Sequence, residues 1–243
     1  MKITAFNGSA RASKGNTHIL VEAFLGGAAA AGAEVENVLL AEKKIKHCRG
    51  CFKCWTRTPG KCAMPDDMAE LLPRFAHSDI VVFATPLYVD NVSGLMKNFM
   101  DRMVPLIDPH FAKDSAGEYR HVKAVGVPKI VVISNCGFPE QSHFQVLKLL
   151  FRRIARNMHS EVIAEIYRGE GELLRVESAM LRFMLRGYMK AVRAAGREVV
   201  ENGAISEPTR AVLEKPLIAH DVYIRNANKH WDRELKKTAK KTA

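Results

Sequence analysis

Short apolar runs alternate along the chain with longer stretches in which apolar residues recur every three or four positions. The short runs have the length of β-strands and lie at residues 3–6, 34–40, 79–84, 129–135 and 161–167. Those at 79–84 and 129–135 are almost continuously apolar, which is typical of central strands covered on both faces. Strands that alternate with helices predict an α/β fold: a doubly wound parallel sheet of five strands in the order 2-1-3-4-5, with helices on both faces.

The domain organisation follows from length and composition. A chain of 243 residues with 47% hydrophobic content can bury a full core, and we expect one domain over residues 1–200. Its longest helical pattern begins near Val176 and continues through Ala195. Residues 201–243 are predicted to be a C-terminal surface extension with a basic tail, and residues 108–128 a functional loop or lid. The chain has no apolar run of membrane-spanning length and starts directly with a strand, so we expect a cytoplasmic protein.

Three loops of unusual content follow predicted strands, at residues 7–17, 85–94 and 135–140. In doubly wound sheets, ligands bind outside the carboxyl ends of the strands, where the strand order reverses. The three loops are therefore expected to meet at one crevice.

The first of these loops has the features of an anion site. Asn7-Gly8-Ser9 allows a sharp turn, and a helix that begins at Asn16 or Thr17 directs its free N–H groups and positive dipole end at the loop. Ser9 and the cation Arg11 add to these donors. The pattern matches neither Gly-x-Gly-x-x-Gly nor the P-loop, which argues against a dinucleotide site and an ATPase. An FMN phosphate fits best, and the alternative is an ordinary strand-to-helix turn with polar caps.

A second chemical signal is the cysteine loop, residues 47–63. It carries Cys48, Cys51, Cys54 and Cys62, three of them in tandem Cys-x2-Cys steps. Such steps wrap thiolates around a [4Fe-4S] cluster. Structural zinc is the nearest alternative, although zinc usually takes two Cys-x2-Cys pairs held apart by a longer spacer. Free or merely structural thiols remain a third reading, and disulfides are disfavoured in a cytoplasmic chain. The fifth cysteine, Cys136, is either a small buried apolar residue or a contact to the flavin edge.

The formal charge of +11 would suit nucleic acid, an anionic membrane, a phosphorylated cofactor or an acidic protein. The aromatic content is only 7%, and no basic run is interleaved with aromatic residues. A stacking surface for single-stranded nucleic acid is therefore unsupported. We expect neither nucleic acid nor a membrane as a partner.

Several motifs in combination resemble a known family. They are Gly8-Ser9-Ala10-Arg11 with Asn16-Thr17, the cysteine run followed by Asp66-Asp67-Met68, and Thr85-Pro86-Leu87-Tyr88 with Ser93-Gly94, Lys97 and Asp101-Arg102. Over about its first 140 residues, the chain is similar to the NADPH-dependent FMN reductase-like flavoproteins, which have a flavodoxin-like fold. Within that family, it is similar to the iron-sulfur flavoproteins.

The resemblance implies roles for individual residues. It implies that the FMN phosphate is held by Ser9, Arg11, Asn16 and Thr17. It implies that the isoalloxazine ring is framed by Pro86, Leu87, Tyr88, Asn135 and Gly137. It implies that a [4Fe-4S] cluster is ligated by Cys48, Cys51, Cys54 and Cys62. Two features depart from the family pattern: Gly15 replaces the usual Ser and so removes one phosphate donor, and the last cysteine gap, of seven residues, is at the long end of the family's range.

The function implied by the resemblance is an FMN-dependent oxidoreductase that takes electrons from NAD(P)H or ferredoxin and passes them on through the cluster or directly. No side chain of this chain need act as a catalytic acid or base, because the flavin carries the chemistry. The resemblance also implies a homodimer or homotetramer in which a neighbouring subunit completes the flavin site, and the basic charge favours an acidic electron carrier such as ferredoxin. The alternatives are a cluster-free NAD(P)H:FMN or quinone reductase and a zinc-stabilised binding module.

Overall fold

A computed structural model gives the structure of the chain and describes residues 1–122, 125–175 and 179–242. Val176, where the predicted final helix begins, lies outside the described residues. The strands are β1 (Lys2–Asn7), β2 (Glu34–Leu39), β3 (Ile80–Pro86), β4 (Phe111–Lys113), β5 (Tyr119–His121), β6 (Lys129–Asn135) and β7 (Val162–Arg168). The α-helices are α1 (Asn16–Ala30), α2 (Lys53–Thr56), α3 (Met68–Ala76), α4 (Gly94–Asp101), α5 (Gln145–Asn157), α6 (Ala179–Asn202), α7 (Glu207–Glu214) and α8 (His220–Thr242).

The main sheet has five parallel strands in the order β2-β1-β3-β6-β7. When the five strands of this sheet are numbered in chain order, β6 and β7 are the fourth and fifth, and the order across the sheet is 2-1-3-4-5. The predicted doubly wound fold is therefore confirmed. The two central strands that the apolar runs predicted, β3 and β6, are buried along almost their whole length.

Each face of the sheet carries its own hydrophobic core, because successive strand residues point to opposite faces. Ile3 and Val82 face the core formed with α1, α6 and α7, whereas Phe6 and Phe83 face the core formed with α3, α4 and α5. Helices therefore cover both faces, as predicted.

The helices α1 and α6 approach each other closely at two glycines. A Cβ atom on Gly27 would overlap the carbonyl oxygen of Arg193, and one on Gly196 would overlap that of Phe24. Only residues without a side chain permit this backbone contact. It sets α6 firmly against the helix whose N-terminus forms the first loop.

The predicted lid at residues 108–128 contains a small antiparallel hairpin of β4 and β5, which the sequence pattern does not reveal. The hairpin is tied to α5, where Arg156 forms an ion pair with Asp114 at 2.5 Å and with Glu118 at 3.1 Å. Whether the segment moves as a lid stays a prediction.

Beyond residue 200, the chain continues as α7 and α8. Ile205, Leu213, Leu217 and Tyr223 are buried against the core beneath α1 and α6. The predicted boundary at residue 200 stays a prediction, and the chain as far as Tyr223 contributes to the packed interior. None of the described helices combines the length and apolar character that crossing a bilayer requires.

Candidate functional site

The first loop joins the end of β1 to the start of α1. Gly8 donates its backbone N–H to the carbonyl oxygen of Ala84 at 2.7 Å, and a single 3-10 turn over Ala12–Lys14 leads to Gly15 at the N-cap of α1. No side chain caps this helix. Its first backbone N–H groups, at the positive end of the helix dipole, therefore remain available for an anion.

Three polar side chains of this loop are almost completely buried: Ser9, Asn16 and Thr17. In each, the oxygen already accepts a hydrogen bond. Asn135 Nδ2 donates to Thr17 Oγ1 at 2.7 Å, and Arg175 Nε donates to Asn16 Oδ1 at 2.9 Å. The backbone N–H of Arg11 donates to Ser9 Oγ at 3.3 Å. Each side chain keeps its O–H or NH2 group for a further acceptor, which is the arrangement that a phosphate requires.

Two cations, Arg11 and Arg175, lie at the edge of the loop. Arg11 is about half exposed and lies 3.8 Å from Glu172. Arg175 reaches back from the short 3-10 helix at Gly171–Arg175 and also donates to the carbonyl oxygen of Gly15 at 3.2 Å. Sequence reasoning identified Arg11 and missed Arg175, because Arg175 is 159 residues away from Asn16 and no local pattern marks it.

Two glycines leave room for this loop. A Cβ atom on Gly8 would lie 2.8 Å from Met96 Cβ, and one on Gly15 would overlap Ser9 Oγ. Gly15, which departs from the family pattern, thus allows the Ser9 hydroxyl to take its observed position. A backbone cradle with inward donors and a cation at the edge fits a phosphate monoester such as that of FMN.

The second loop follows β3, which ends at Pro86. Leu87 is buried and donates its N–H to the carbonyl oxygen of Asn135 at 2.9 Å, while Tyr88 is 48% exposed. Val89 and Asp90 form the tip of a tight turn with φ of 48° and 55°. A β-branched residue in the left-handed region is strained, and such strain is found mainly at functional sites.

The first and second loops are bonded to each other through Ser93. Its hydroxyl donates to the carbonyl oxygen of Gly8 at 2.6 Å and accepts the N–H of Met96 at 3.2 Å, which caps α4. The Ser93 side chain thus caps α4 and also holds the loop that precedes α1.

The third loop follows β6. Asn135 is buried, and it joins this loop to both others through Thr17 and Leu87. The carbonyl oxygen of Gly137 accepts the hydroxyl of Tyr223 at 2.7 Å, a contact from α8 that the sequence does not predict. Cys136 is buried, and burial raises the pKa of its thiol to about 11, so it is an unreactive thiol at neutral pH. The predicted flavin residues therefore gather at the carboxyl end of the sheet.

The cysteine loop forms a separate feature beside α4. Cys48, Cys51, Cys54 and Cys62 are free and line one small cavity together with Arg102. The pKa of the Cys54 thiol is raised by burial and by the nearby sulfurs of Cys62, Cys51 and Cys48, so the four groups interact electrostatically. Over the described ranges, no three cysteine, histidine or carboxylate side chains are grouped as ligands of a single ion would be.

A buried ion pair borders this cavity. Asp66 and Arg102 have side chains that are each 1% exposed, and their closest atoms are 2.6 Å apart. Burial alone would raise the pKa of Asp66, but hydrogen bonds from Arg102 and from the backbone N–H groups of Lys46 and Met68 hold it below its usual value. Asp66 also accepts the N–H of Met68, the first residue of α3, at 3.1 Å, so it binds both this helix and Arg102.

Aromatic rings connect the cysteine loop to the β4–β5 hairpin. Phe52 stacks on Trp55 with ring centroids 4.9 Å apart, and His121 contacts both Trp55 and Phe111. Trp55 Nε1 donates to the carbonyl oxygen of Ile107 at 2.7 Å. Phe52 and Phe111 are at least half exposed. These four rings, the aromatic strip, fix the cysteine loop against the predicted lid.

Comparison with known proteins assigns these features to a family. The family model described as NADPH-dependent FMN reductase matches residues 1–161. An iron-sulfur flavoprotein of Archaeoglobus fulgidus is 36% identical over 141 residues, which cover 58% of this chain and 58% of that protein. An iron-sulfur flavoprotein of Methanocaldococcus jannaschii is 38% identical over 106 residues, covering 44% and 53% of the two chains. The chain thus spans a little over half the length of these curated relatives.

A solved structure shows the same fold. The NAD(P)H:quinone oxidoreductase from Methanothermobacter marburgensis superposes with a TM-score of 0.58, covering 82% of this chain and 98% of that one. The sequence identity is 17%, so this likeness concerns the fold alone.

Proposed function

Because the chain belongs to the NADPH-dependent FMN reductase family, we propose that it is an FMN-dependent oxidoreductase that accepts electrons from NAD(P)H or from ferredoxin. One observation carries the proposal. The side chains of Ser9, Asn16 and Thr17, in the first loop and the first turn of α1, are buried and use their oxygens as acceptors. Their donors remain available for an anion, beside a helix N-terminus without a side-chain cap.

In this proposal, the chain binds and orients the cofactor. The α1 N-terminus, Ser9, Asn16 and Thr17 hold the phosphate, and Arg11 supplies a positive charge at the edge. The ring is framed by Pro86, Leu87, Tyr88, Asn135 and Gly137. When bound, FMN supplies hydride and single-electron chemistry, so the chain needs no catalytic acid or base of its own.

We also propose that Cys48, Cys51, Cys54 and Cys62 hold a [4Fe-4S] cluster. A single zinc ion needs its sulfurs about 2.3 Å from one point. In a four-iron cluster, each thiolate binds a different iron, so the sulfurs surround a larger volume. The four thiols line a common cavity, yet among the described residues no three of them are grouped as ligands of one ion would be, which favours the cluster over zinc. Two relatives are named iron-sulfur flavoproteins, which agrees with this choice.

An acidic electron carrier such as ferredoxin is the partner we propose. Residues 43–65, the basic segment, contain seven cations and no acidic residue: Lys43, Lys44, Lys46, Arg49, Lys53, Arg57 and Lys61. Along the chain, these cations are interspersed with the cysteines, where electrons would leave or enter. Complementary charge of this kind steers association.

Assembly and location complete the proposal. A homodimer or homotetramer is supported by the exposed apolar side chains beside the crevice, where Val89 is 98% and Phe138 53% exposed. A cytoplasmic location is supported by five cysteines that are all free.

The test is to purify the protein without air and to count FMN, iron, sulfide and zinc on the same sample. We expect one FMN per chain, with iron and sulfide in equal amounts. Arg11→Ala should lose FMN and keep iron, whereas Cys51→Ala should lose iron and keep FMN. Lys14→Ala, in the same loop as Arg11, and Cys136→Ala, outside the cysteine loop, are the matched controls.

The other outcomes separate the alternatives. Flavin without iron would indicate a cluster-free FMN or quinone reductase. Zinc without flavin would contradict the proposed flavin site and favour a zinc-stabilised binding module.

A further inference from the structure

Arg102 lies between a carboxylate and one of the four loop thiols. It is the C-cap residue of α4, and its side chain is 1% exposed. Nη1 donates to Asp66 Oδ2 and to the carbonyl oxygen of Lys46, both at 2.6 Å. Nη2 donates to Asp66 Oδ1 at 3.0 Å and to Cys62 Sγ at 3.3 Å. The two bonds to Asp66 fix the plane of the guanidinium group and direct its outer edge at the sulfur.

A second observation points into the cavity. Arg102 lines the cavity of the four thiols, and its Nε is buried with no hydrogen-bond partner in the described part of the chain. A buried donor without an acceptor is costly, so such groups in native proteins usually bond to a water, an ion or a ligand. The sulfur atoms of a cluster in this cavity are acceptors that the donor could use.

From this geometry we infer that Arg102, oriented by Asp66, is a positioning residue that holds the Cys62 sulfur and raises the reduction potential of the group that the thiols bind. The inference rests on the proposed cluster. Hydrogen bonds to sulfur and the local net charge are among the features that set cluster potentials. The N–H donor next to the ligand sulfur stabilises the reduced form, which carries the extra electron, and the Arg102 charge offsets the buried negative charge of Asp66.

The guanidinium group is suited to this role because it forms several bonds at once. It donates to a carboxylate, a carbonyl and a sulfur from two nitrogens in a fixed plane. A lysine at the same place would keep the charge but lose the planar arrangement of several N–H donors. Arg102→Lys and Arg102→Gln therefore separate the effect of the charge from that of the geometry.

The experiment is a redox titration of the whole protein, in which the absorption or electron spin resonance signal of the cluster reports its reduction. We expect Arg102→Gln to lower the equilibrium constant for cluster reduction by about ten-fold, which corresponds to 59 mV for one electron. Arg102→Lys should give a smaller fall. The control is Lys61→Gln, which removes a solvent-exposed cation one residue from Cys62 and should leave the potential unchanged.

Iron, sulfide and FMN are counted on every variant. If Arg102→Gln retains FMN but loses iron while Arg102→Lys keeps both, the positioning role is supported. The reduction potential is then compared between Arg102→Lys and the wild type. Equal potentials in the wild type and every iron-containing Arg102 variant would overturn the inference and leave the cluster proposal intact. A wild type without iron would overturn both.

Discussion

Gly15 shows how one residue can matter for a ligand more than for the fold. Its backbone, with φ of −84° and ψ of 152°, suits any residue, so the conformation does not require glycine. Glycine is needed only to keep Ser9 in place, because a Cβ atom at residue 15 would overlap the Ser9 hydroxyl and displace it. A serine at this position adds a donor only by displacing another. The departure from the family pattern is therefore compensated within the loop.

We predict that Gly15→Ser weakens FMN binding by about 10- to 100-fold, the cost of one lost hydrogen bond to a charged group. Stability should change little, because the Ser9 side chain can rotate away. Titration of the apoprotein with FMN and thermal unfolding measure the two effects. Gly26→Ala is the control, since nothing lies near its added methyl group and FMN affinity should be unaltered. Equal FMN affinity in Gly15→Ser and wild type would show that Ser9 does not contact the phosphate.

The site residues that the sequence identifies lie close to one another along the chain. The residue that it misses is far along the chain from its partners. Ser9, Asn16 and Thr17 belong to one strand-turn-helix motif, whose chemistry can be read locally. Arg175 contacts the same motif from a distant 3-10 helix, and only the folded chain brings it there. Arg102 was part of a motif, but its burial between Asp66 and Cys62 depends on two loops packing against α4.

The junction of α6 and α7 is held by one carboxylate. Glu198 accepts the backbone N–H of Ser206 at 2.8 Å and the hydroxyls of Ser206 and Thr209 at 3.0 and 2.6 Å. Burial alone would raise its pKa, but these hydrogen bonds hold the pKa below the usual 4.5. The junction packs Leu213 into the core beside α1, so Glu198 indirectly supports the helix that bears the first loop.

We predict that Glu198→Ala destabilises the protein by about 1 kcal/mol at pH 7, the net value of such hydrogen bonds. Because folding lowers the Glu198 pKa, its stabilisation is complete above about pH 5 and is lost as the pH falls through the folded-state value. Urea unfolding at pH 7 and pH 3.5 should show a difference from wild type that shrinks in acid. The control Glu201→Ala removes an exposed carboxylate of the same helix, with an expected effect within about 0.5 kcal/mol. If the difference in unfolding free energy between Glu198→Ala and the wild type is the same at both pH values, the ionised carboxylate does not account for the stabilisation.

Whole elements were predicted to different degrees for a physical reason. The central strands β3 and β6 are buried on both faces, so their continuous apolar runs identify them. The strands β4 and β5 have three residues each and are largely exposed, which leaves no apolar period to detect. The last helix, α8, lies within the predicted C-terminal extension, residues 201–243, and the sequence pattern did not identify it as a helix, because a helix with mostly exposed side chains has little core-facing pattern.

Positive charge is distributed unevenly over the molecule. The net charge is +11, yet seven cations without an acid lie in the 23 residues of the basic segment, which also carries the four cysteines. Phe52, at the end of the aromatic strip, is half exposed within this segment. Exposed aromatic side chains are enriched at protein interfaces, so Phe52 is a candidate contact within this segment. We therefore expect an acidic electron carrier to dock on the basic segment, and not to be attracted only by the net positive charge of the whole protein.

We predict that Lys53→Glu/Arg57→Glu slows electron exchange with an acidic ferredoxin by ten-fold or more in about 10 mM salt, where the screening length is near 30 Å. The effect should largely disappear in 1 M salt, where that length falls to about 3 Å. Stopped-flow mixing gives the rate, and oxidation of NAD(P)H should proceed as in wild type. Lys229→Glu/Lys236→Glu changes the net charge equally on α8, away from the cysteines along the chain. If both double variants slow the exchange to the same extent, the overall charge steers the carrier, and the basic segment is not its docking surface.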